Sequence, residues 1–261
     1  MTFRELHRPG DPFVLANAWD VGSARMLAAM GAKAIATTSS GYAFTRGLPD
    51  GGRVGREEAV AHAADLAAHV GVPVSADLED GYGPEPADAG DTVGVAVRAG
   101  LDGCCIEDVD GTGTPYGFAA AVARIEAAVS EVRGDFVLCA RADGVMHGAY
   151  DLDEAIRRLN AFREAGAEVV YTPACGDAEA LGRVVRETGA PVNALAVGAL
   201  AGLSLRDFAE VGVARVSVGS GLARTVHAAI RDAGGAMLGG DFSGLWGASG
   251  AEIDAMLERG A

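Results

Sequence analysis

Three acidic residues close short apolar runs: Asp77 and Glu79 end Ser75-Ala76-Asp77-Leu78-Glu79-Asp80-Gly81, and Glu107 ends Cys104-Cys105-Ile106-Glu107-Asp108. A third run, Cys139-Ala140-Arg141-Ala142-Asp143, delivers a cation. Side chains alternate along a strand, so Ser75, Asp77 and, if the extended path continues, Glu79 share one face, as do Cys105 with Glu107 and Cys139 with Arg141. Carboxylates brought together by adjacent strands repel and raise one another's proton affinity. A hard cation such as Mg²⁺ relieves that repulsion with a few carboxylate oxygens plus water. No cluster of His and Cys accompanies the acids, which argues against zinc. Acids at strand ends also cap helices or pair with rim arginines, and Arg141 suits a structural ion pair as well as a carboxylate clamp. Spacing alone leaves both readings open.

The elements that would position these residues repeat along the chain. Strand-like runs are expected at Phe13–Ala16, Ala34–Thr38, Val72–Asp77, Gly103–Glu107, Phe136–Arg141, Glu168–Thr172, Pro191–Leu195 and Arg215–Val218, separated by segments of helical period. Arg56 to Val70 puts Val60, Ala63, Ala67 and Val70 on one stripe. Asp151 with Glu154 three residues on opens another helix, and Gly31, Gly100, Gly166, Gly189 and Gly212 each end one. Eight βα units in 261 residues predict an α/β fold, a single (β/α)8 TIM barrel spanning residues 1–261, about the usual size for that fold. Beyond Gly234 the chain changes character. Gly239, Gly240, Phe242, Leu245 and Trp246 precede a last helix expected at Ala251–Leu257, so residues 235–261 form a sticky tail expected to pack on the barrel or a partner subunit.

Composition narrows the function classes. A net charge of −15, from 21 basic and 36 acidic residues, predicts no nucleic-acid partner and no anionic membrane surface. No apolar run reaches the roughly 18 residues of a membrane span, and no signal-peptide core follows Met1. The four cysteines, Cys104, Cys105, Cys139 and Cys175, show no C-x-x-C pairing and read as unbridged core thiols. A cytoplasmic location is the expectation. Gly219-Ser220-Gly221 after the last strand invites a phosphate-site reading, or simply close packing of the following helix.

A set of short stretches resembles the isocitrate lyase and phosphoenolpyruvate mutase superfamily, specifically its small 2-oxo-acid lyase and decarboxylase branch. The stretches are Leu15 to Asp20, Thr37 to Gly41, Gly47 to Gly51, Ala76 to Gly83, Ile106 to Asp108, Ala140 to Asp143, Pro191 to Asn193 and Ser217 to Ser220, in order over nearly the whole chain. The resemblance implies Mg²⁺, with Mn²⁺ as a substitute. Asp77 matches a direct ligand, Glu79 and Glu107 carboxylates that reach the ion largely through water. It implies a pocket acid at Asp50, a carboxylate-gripping guanidinium at Arg141, backbone donors at Thr38, Ser39 and Ser40, and a pocket side chain at Asn193. It further implies a homodimer or homotetramer whose last helix is exchanged between subunits. Departures narrow the reaction. The Cys-bearing loop of the tricarboxylate lyases is replaced by Gly83-Pro84-Glu85-Pro86-Ala87-Asp88, the mutase Lys is absent from Asp108 to Gly117, and Pro173 is followed by Ala174-Cys175. What survives is an enolate-forming carbon–carbon lyase or decarboxylase for a small anionic 2-oxo or 2-hydroxy dicarboxylic acid of oxaloacetate or substituted-malate type. The alternatives are P–C hydrolysis or rearrangement of a phosphonopyruvate, and a barrel kept only for binding.

Overall fold

The computed structural model describes residues 1–245 and 247–261. The strands are β1 (Phe13–Val14), β2 (Ala16–Asn17), β3 (Ile35–Ala36), β4 (Val74–Asp77), β5 (Gly103–Glu107), β6 (Val137–Arg141), β7 (Val169–Tyr171), β8 (Val192–Leu195) and β9 (Arg215–Ser217). The helices are α1 (Phe3–Leu6), α2 (Val21–Ala29), α3 (Ser39–Thr45), α4 (Arg56–His69), α5 (Pro86–Arg98), α6 (Phe118–Glu131), α7 (Leu152–Glu164), α8 (Ala178–Thr188), α9 (Leu205–Val211), α10 (Gly221–Leu238) and α11 (Gly250–Arg259). All strand pairs are parallel, in the order β1-β9-β8-β7-β6-β5-β4-β3-β2.

The expected eight-stranded barrel is present, with its first strand divided. Phe13 and Val14 pair with Arg215 and Val216, whereas Ala16 and Asn17 pair with Ile35 and Ala36. Between them the Leu15 N–H donates to the Val216 carbonyl at 2.8 Å, so one extended segment serves both neighbours and closes the ring. The Asn17 side chain reinforces the seam. Its Nδ2 donates to the Thr37 carbonyl at 3.1 Å, and its Oδ1 accepts the Val218 and Gly219 N–H groups at 2.9 Å each. Those two amides are thereby spent on closure, which favours the packing reading of Gly219-Ser220-Gly221 over a phosphate site. Several expected strands are shorter than their apolar runs, because parallel pairing ends where neighbours curve away toward their helices.

The core has the two layers a barrel requires. Inside the ring lie Leu15, Ala36, Val137, Cys139, Val169 and Tyr171, and below them Phe3 and Leu6 of α1 plug the amino-terminal end. Burying two such side chains contributes roughly 1.5–3 kcal/mol each. Outside the ring, Val60, Ala63 and Leu66 of α4, Val93 and Ala96 of α5, Ile125 of α6, Leu159 and Phe162 of α7 and Leu181 of α8 pack on the strands. Asp151 caps α7 through the Glu154 N–H at 3.0 Å, and Gly31, Gly100, Gly166, Gly189 and Gly212 all adopt positive φ at helix ends, as their spacing predicts. The four cysteines are unbridged.

The carboxyl-terminal region departs from a simple outer helix. On α10, Ile230 is 63% exposed and Leu238 86%, and Phe242 beyond it is 60% exposed. Trp246, one of the apolar residues of the expected tail, lies outside the described residues. Helix α11 turns back onto α2 of the same chain, where Gly260 meets the Arg25 carbonyl so closely that no side chain would fit. No helix among the described residues is long and apolar enough to cross a membrane.

Candidate active site

A cavity of about 410 Å³ opens at the carboxyl ends of the strands and extends down into the barrel. Asp50, Asp77, Glu79, Glu107, Arg141, Thr38, Ser39, Ser40 and Asn193, named from sequence, all line it. The route to this convergence differs from simple alternation at one position. Strand β4 ends at Asp77, and Glu79 sits at φ +47°, in the left-handed region. The chain therefore turns sharply instead of staying extended, and the turn still delivers Glu79 to the mouth. Left-handed backbone at a non-glycine residue costs free energy and is retained where surrounding structure fixes it. Here the Glu107 N–H donates to the Glu79 carbonyl at 2.8 Å and the Gly52 N–H donates to Glu79 Oε2 at 3.2 Å.

Asp77 is the hub. Its Oδ2 accepts from both the N–H and the hydroxyl of Ser39, at 2.9 and 2.8 Å, and its backbone N–H donates to Thr37 Oγ1 at 2.8 Å. Its Oδ1 accepts from Arg141 Nη1 at 3.2 Å and from the Cys105 thiol at 3.3 Å. The amide and hydroxyl of Ser39, expected as donors toward the substrate, here donate to Asp77 and aim it. The Thr38 side chain likewise accepts from the Gly41 N–H, capping α3. Asn193 is 1% exposed, and its amide is committed on both sides, donating to Ser217 Oγ at 2.9 Å and accepting from Arg215 Nε at 2.9 Å. Asp50 sits exposed at the rim, accepting from the Gly51 N–H at 2.9 Å.

Arg141 is held by acids on three sides. Nη1 lies 2.8 Å from Glu107 Oε1 as well as 3.2 Å from Asp77, while Nε and Nη2 fork onto the two oxygens of Asp143 at 3.1 and 2.6 Å. Its guanidinium carbon stands 4.9 Å from the Tyr171 ring centre. Burial alone would lower its proton affinity, but Asp143 and Glu107 raise it further than burial lowers it. The acids are in excess nonetheless. Burial, then the charge of Asp77, pushes Glu79 up to about 7. Glu107 is held well above the usual carboxylate range by burial, with Asp143, Asp77 and Glu79 adding to it against the opposing pull of Arg141.

The acids at the strand ends divide by direction. Asp77, Glu79 and Glu107 face the cavity, while their neighbours Asp80 and Asp108 turn behind it and bind structure. Asp108 accepts from the Asp143 N–H at 2.8 Å, Tyr150 OH at 2.7 Å and Arg158 Nη1 at 2.9 Å. Asp80 accepts from Tyr116 OH at 2.6 Å, and Arg124 donates to its carbonyl. Asp143, Cys105, Arg215 and His147 belong to the cavity wall or its support without having been singled out from sequence. For Asp143 a signal existed, since Arg141-x-Asp143 places two opposite charges two residues apart on one extended segment.

The donor set suits a divalent hard cation. It offers carboxylate oxygens only, with one guanidinium against them, and burial together with neighbouring carboxylates raises the proton affinity of Glu79 and Glu107, a repulsion that a dication would relieve. Among the described residues no three Asp, Glu, His or Cys side chains are gathered closely enough to hold a metal ion by themselves.

A parallel barrel with acids and a clamped arginine at its carboxyl-terminal mouth defines an α/β-barrel enzyme whose chemistry centres on anionic oxygen. The family model for phosphoenolpyruvate phosphomutase matches residues 3–238, and the chain belongs to that family, within the isocitrate lyase and phosphoenolpyruvate mutase superfamily of lyases and mutases. Uncharacterized protein Rv1998c of Mycobacterium tuberculosis is 39% identical over 235 residues, 88% of each chain. The crystal structure of a candidate lyase/mutase from Burkholderia cenocepacia J2315 superposes with a TM-score of 0.91 at 43% identity, covering 97% of this chain and 93% of that one. The 2,3-dimethylmalate lyase of Eubacterium barkeri is 31% identical over 178 residues, 64% of this chain and 61% of its own.

Proposed function

We propose that the protein is a Mg²⁺-dependent carbon–carbon lyase or decarboxylase, acting on a small 2-oxo or 2-hydroxy dicarboxylic acid of oxaloacetate or substituted-malate type through an enolate. The observation that carries this reading is the convergence of Asp77, Glu79 and Glu107 on one cavity, around an arginine buried at its wall. Kinship with a lyase that cleaves 2,3-dimethylmalate points to the same bond class. When bound, the metal supplies Lewis acidity for charge developing on the 2-oxo oxygen. Asp77, aimed by Ser39, would be its direct ligand, with Glu79 and Glu107 on its water shell.

The protein's own groups do the rest. Arg141, stacked on Tyr171 and forked onto Asp143, holds a planar donor array at the site and orients the carboxylate of the bound acid. Asp50 at the rim, beside the loop that binds Glu79 through Gly52, is the acid placed to accept the hydroxyl proton of a malate-type substrate. The active unit is proposed to be a cytoplasmic homodimer or homotetramer, in which the exposed apolar face of α10 and the tail beyond it are covered by a second copy.

Phosphonopyruvate chemistry is the second reading, favoured by the phosphomutase family match. It needs several cations around the phosphoryl group, and the cavity lining supplies two guanidinium groups, Arg141 and Arg215, three strands apart. The test is a turnover screen with Mg²⁺ or Mn²⁺ of oxaloacetate, substituted malates and phosphonopyruvate, detecting pyruvate, other 2-oxo acids and free phosphate. Turnover of a dicarboxylate that EDTA removes is expected. Phosphate release from phosphonopyruvate alone would replace this reading with the second. Absence of any turnover, with no shift in melting temperature on adding metal, would leave a binding protein.

A further inference from the structure

Arg215 opens β9 and points into the barrel, where it is 4% exposed and lines the deep end of the cavity. Its Nε donates to Asn193 Oδ1 at 2.9 Å and its Nη1 contacts His7 Nε2 at 3.0 Å. Both partners are neutral: Asn193 is an amide, and burial together with the Arg215 charge pushes His7 down to about 3, so its ring nitrogen accepts. Nη2 has no hydrogen-bond partner, and no carboxylate among the described residues lies within ion-pair distance of this guanidinium. Buried charges in proteins are normally paired, because an isolated one loses its hydration without return. Arg141, the other guanidinium of the cavity, already has three carboxylates. Arg215 has none.

We infer that Arg215, held by Asn193 beside Ser217, forms an anion subsite at the inner end of the cavity that takes the far carboxylate of a small dicarboxylic substrate. The inference rests on the proposed function for the identity of the ligand, and on the unpaired buried guanidinium for the site itself. The register sets the two ends apart. Arg141 pairs with Tyr171, Tyr171 with Asn193, and Asn193 with Arg215, so the subsite lies three strands around the ring from the acid cluster. A single carboxylate neutralises a single guanidinium, whereas a phosphate dianion would leave buried charge uncompensated. An acid with one carboxylate, held with the metal at the mouth, leaves Arg215 bare; an acid with two reaches Arg215 as well.

Isothermal titration of the full-length protein in Mg²⁺ with malonate, succinate, pyruvate and inorganic phosphate tests this. In the wild type a dicarboxylate of fitting length is expected to bind at least about 10-fold tighter than pyruvate. Arg215→Gln should weaken dicarboxylate binding by about 10- to 100-fold, the range of a charge-assisted hydrogen bond, and leave pyruvate binding unchanged. Arg215→Gln removes a buried group and has to be checked for folding by circular dichroism. Asn193→Asp provides the second arm, because it hands Arg215 an internal carboxylate and should abolish the dicarboxylate preference in a folded protein. Wild-type dicarboxylate affinity in either folded variant overturns the subsite. Equal, Arg215-dependent binding of phosphate and dicarboxylate overturns its assignment to substrate. If Arg215-dependent dicarboxylate binding persists while no 2-oxo or 2-hydroxy acid is turned over, the subsite stands and the lyase reading falls.

Discussion

The mouth and the floor of the barrel carry opposite electrostatic imbalances. At the mouth, Asp77, Glu107 and Asp143 surround the single guanidinium of Arg141, with Glu79 a further acid on the same cavity; at the floor, Arg215 stands between an amide and a neutral imidazole. Neither end is satisfied by the protein alone, and the missing charges are of opposite sign. A cation completes the first and an anion the second. A fold held together by its apolar layers can carry such imbalances, since each is confined to a place that a ligand reaches.

The sharpest way to break this contrast is at the hub. Asp77→Ala should reduce turnover by at least about 1,000-fold with the fold intact by circular dichroism, because Asp77 is the acid both aimed by Ser39 and shared with Arg141. A variant turning over at the wild-type rate would show that the mouth acids do not hold the metal. Arg141→Lys comes next. A lysine cannot reproduce the fork onto Asp143 while reaching Glu107, so kcat/KM should fall by about 100-fold, mostly in KM if Arg141 binds the substrate carboxylate.

The floor makes its own prediction through pH. Burial and then the Arg215 charge push His7 down to about 3 from its ordinary 6.5, so between these values the unfolded chain binds a proton that the native one does not. Stability contributed by neutral His7 is therefore complete above 6.5 and is lost progressively as pH falls toward 3. The loss should reach roughly 3–5 kcal/mol. His7→Gln, which keeps a polar partner for Arg215 without titrating, should flatten that part of the stability curve measured by urea unfolding. An unchanged acid limb would mean that His7 is not the group sensing the floor. The smallest effect is expected at the mouth's edge. Gly113 has φ +81°, and a Cβ there would meet the His147 ring, so Gly113→Ala should cost about 1–2 kcal/mol and move His147 without touching the acids. Unaltered stability would indicate that His147 simply swings aside.

The strands and the acids they carry were readable because parallel barrel strands are short apolar runs whose last residues face one mouth. The roles of Asp77, Glu107 and Arg141 as cavity residues followed from two-residue alternation. Three features lay beyond such a reading. The turn at Glu79 depends on left-handed backbone that no local pattern demands. The diversion of Ser39 to Asp77 and of Asn193 to Arg215 and Ser217 depends on contacts between segments 38 and 22 residues apart in sequence or more. Arg215 begins a strand among apolar neighbours and reads locally as the polar edge of a run; only closure of the ring shows that it points inward and meets His7 from the other end of the chain.

That closure also dictates an order of events during synthesis. Among the described residues the Phe13–Val14 edge pairs with Arg215 and Val216 alone, roughly two hundred residues later, and long loops close slowly. A nascent chain that has not yet extruded β9 therefore exposes an open sheet with two raw edges, the arrangement most prone to pairing with another chain. The residue that charges the floor is thus also among the last to be made, and the finished ligand pocket and the protection from aggregation arrive with the same strand.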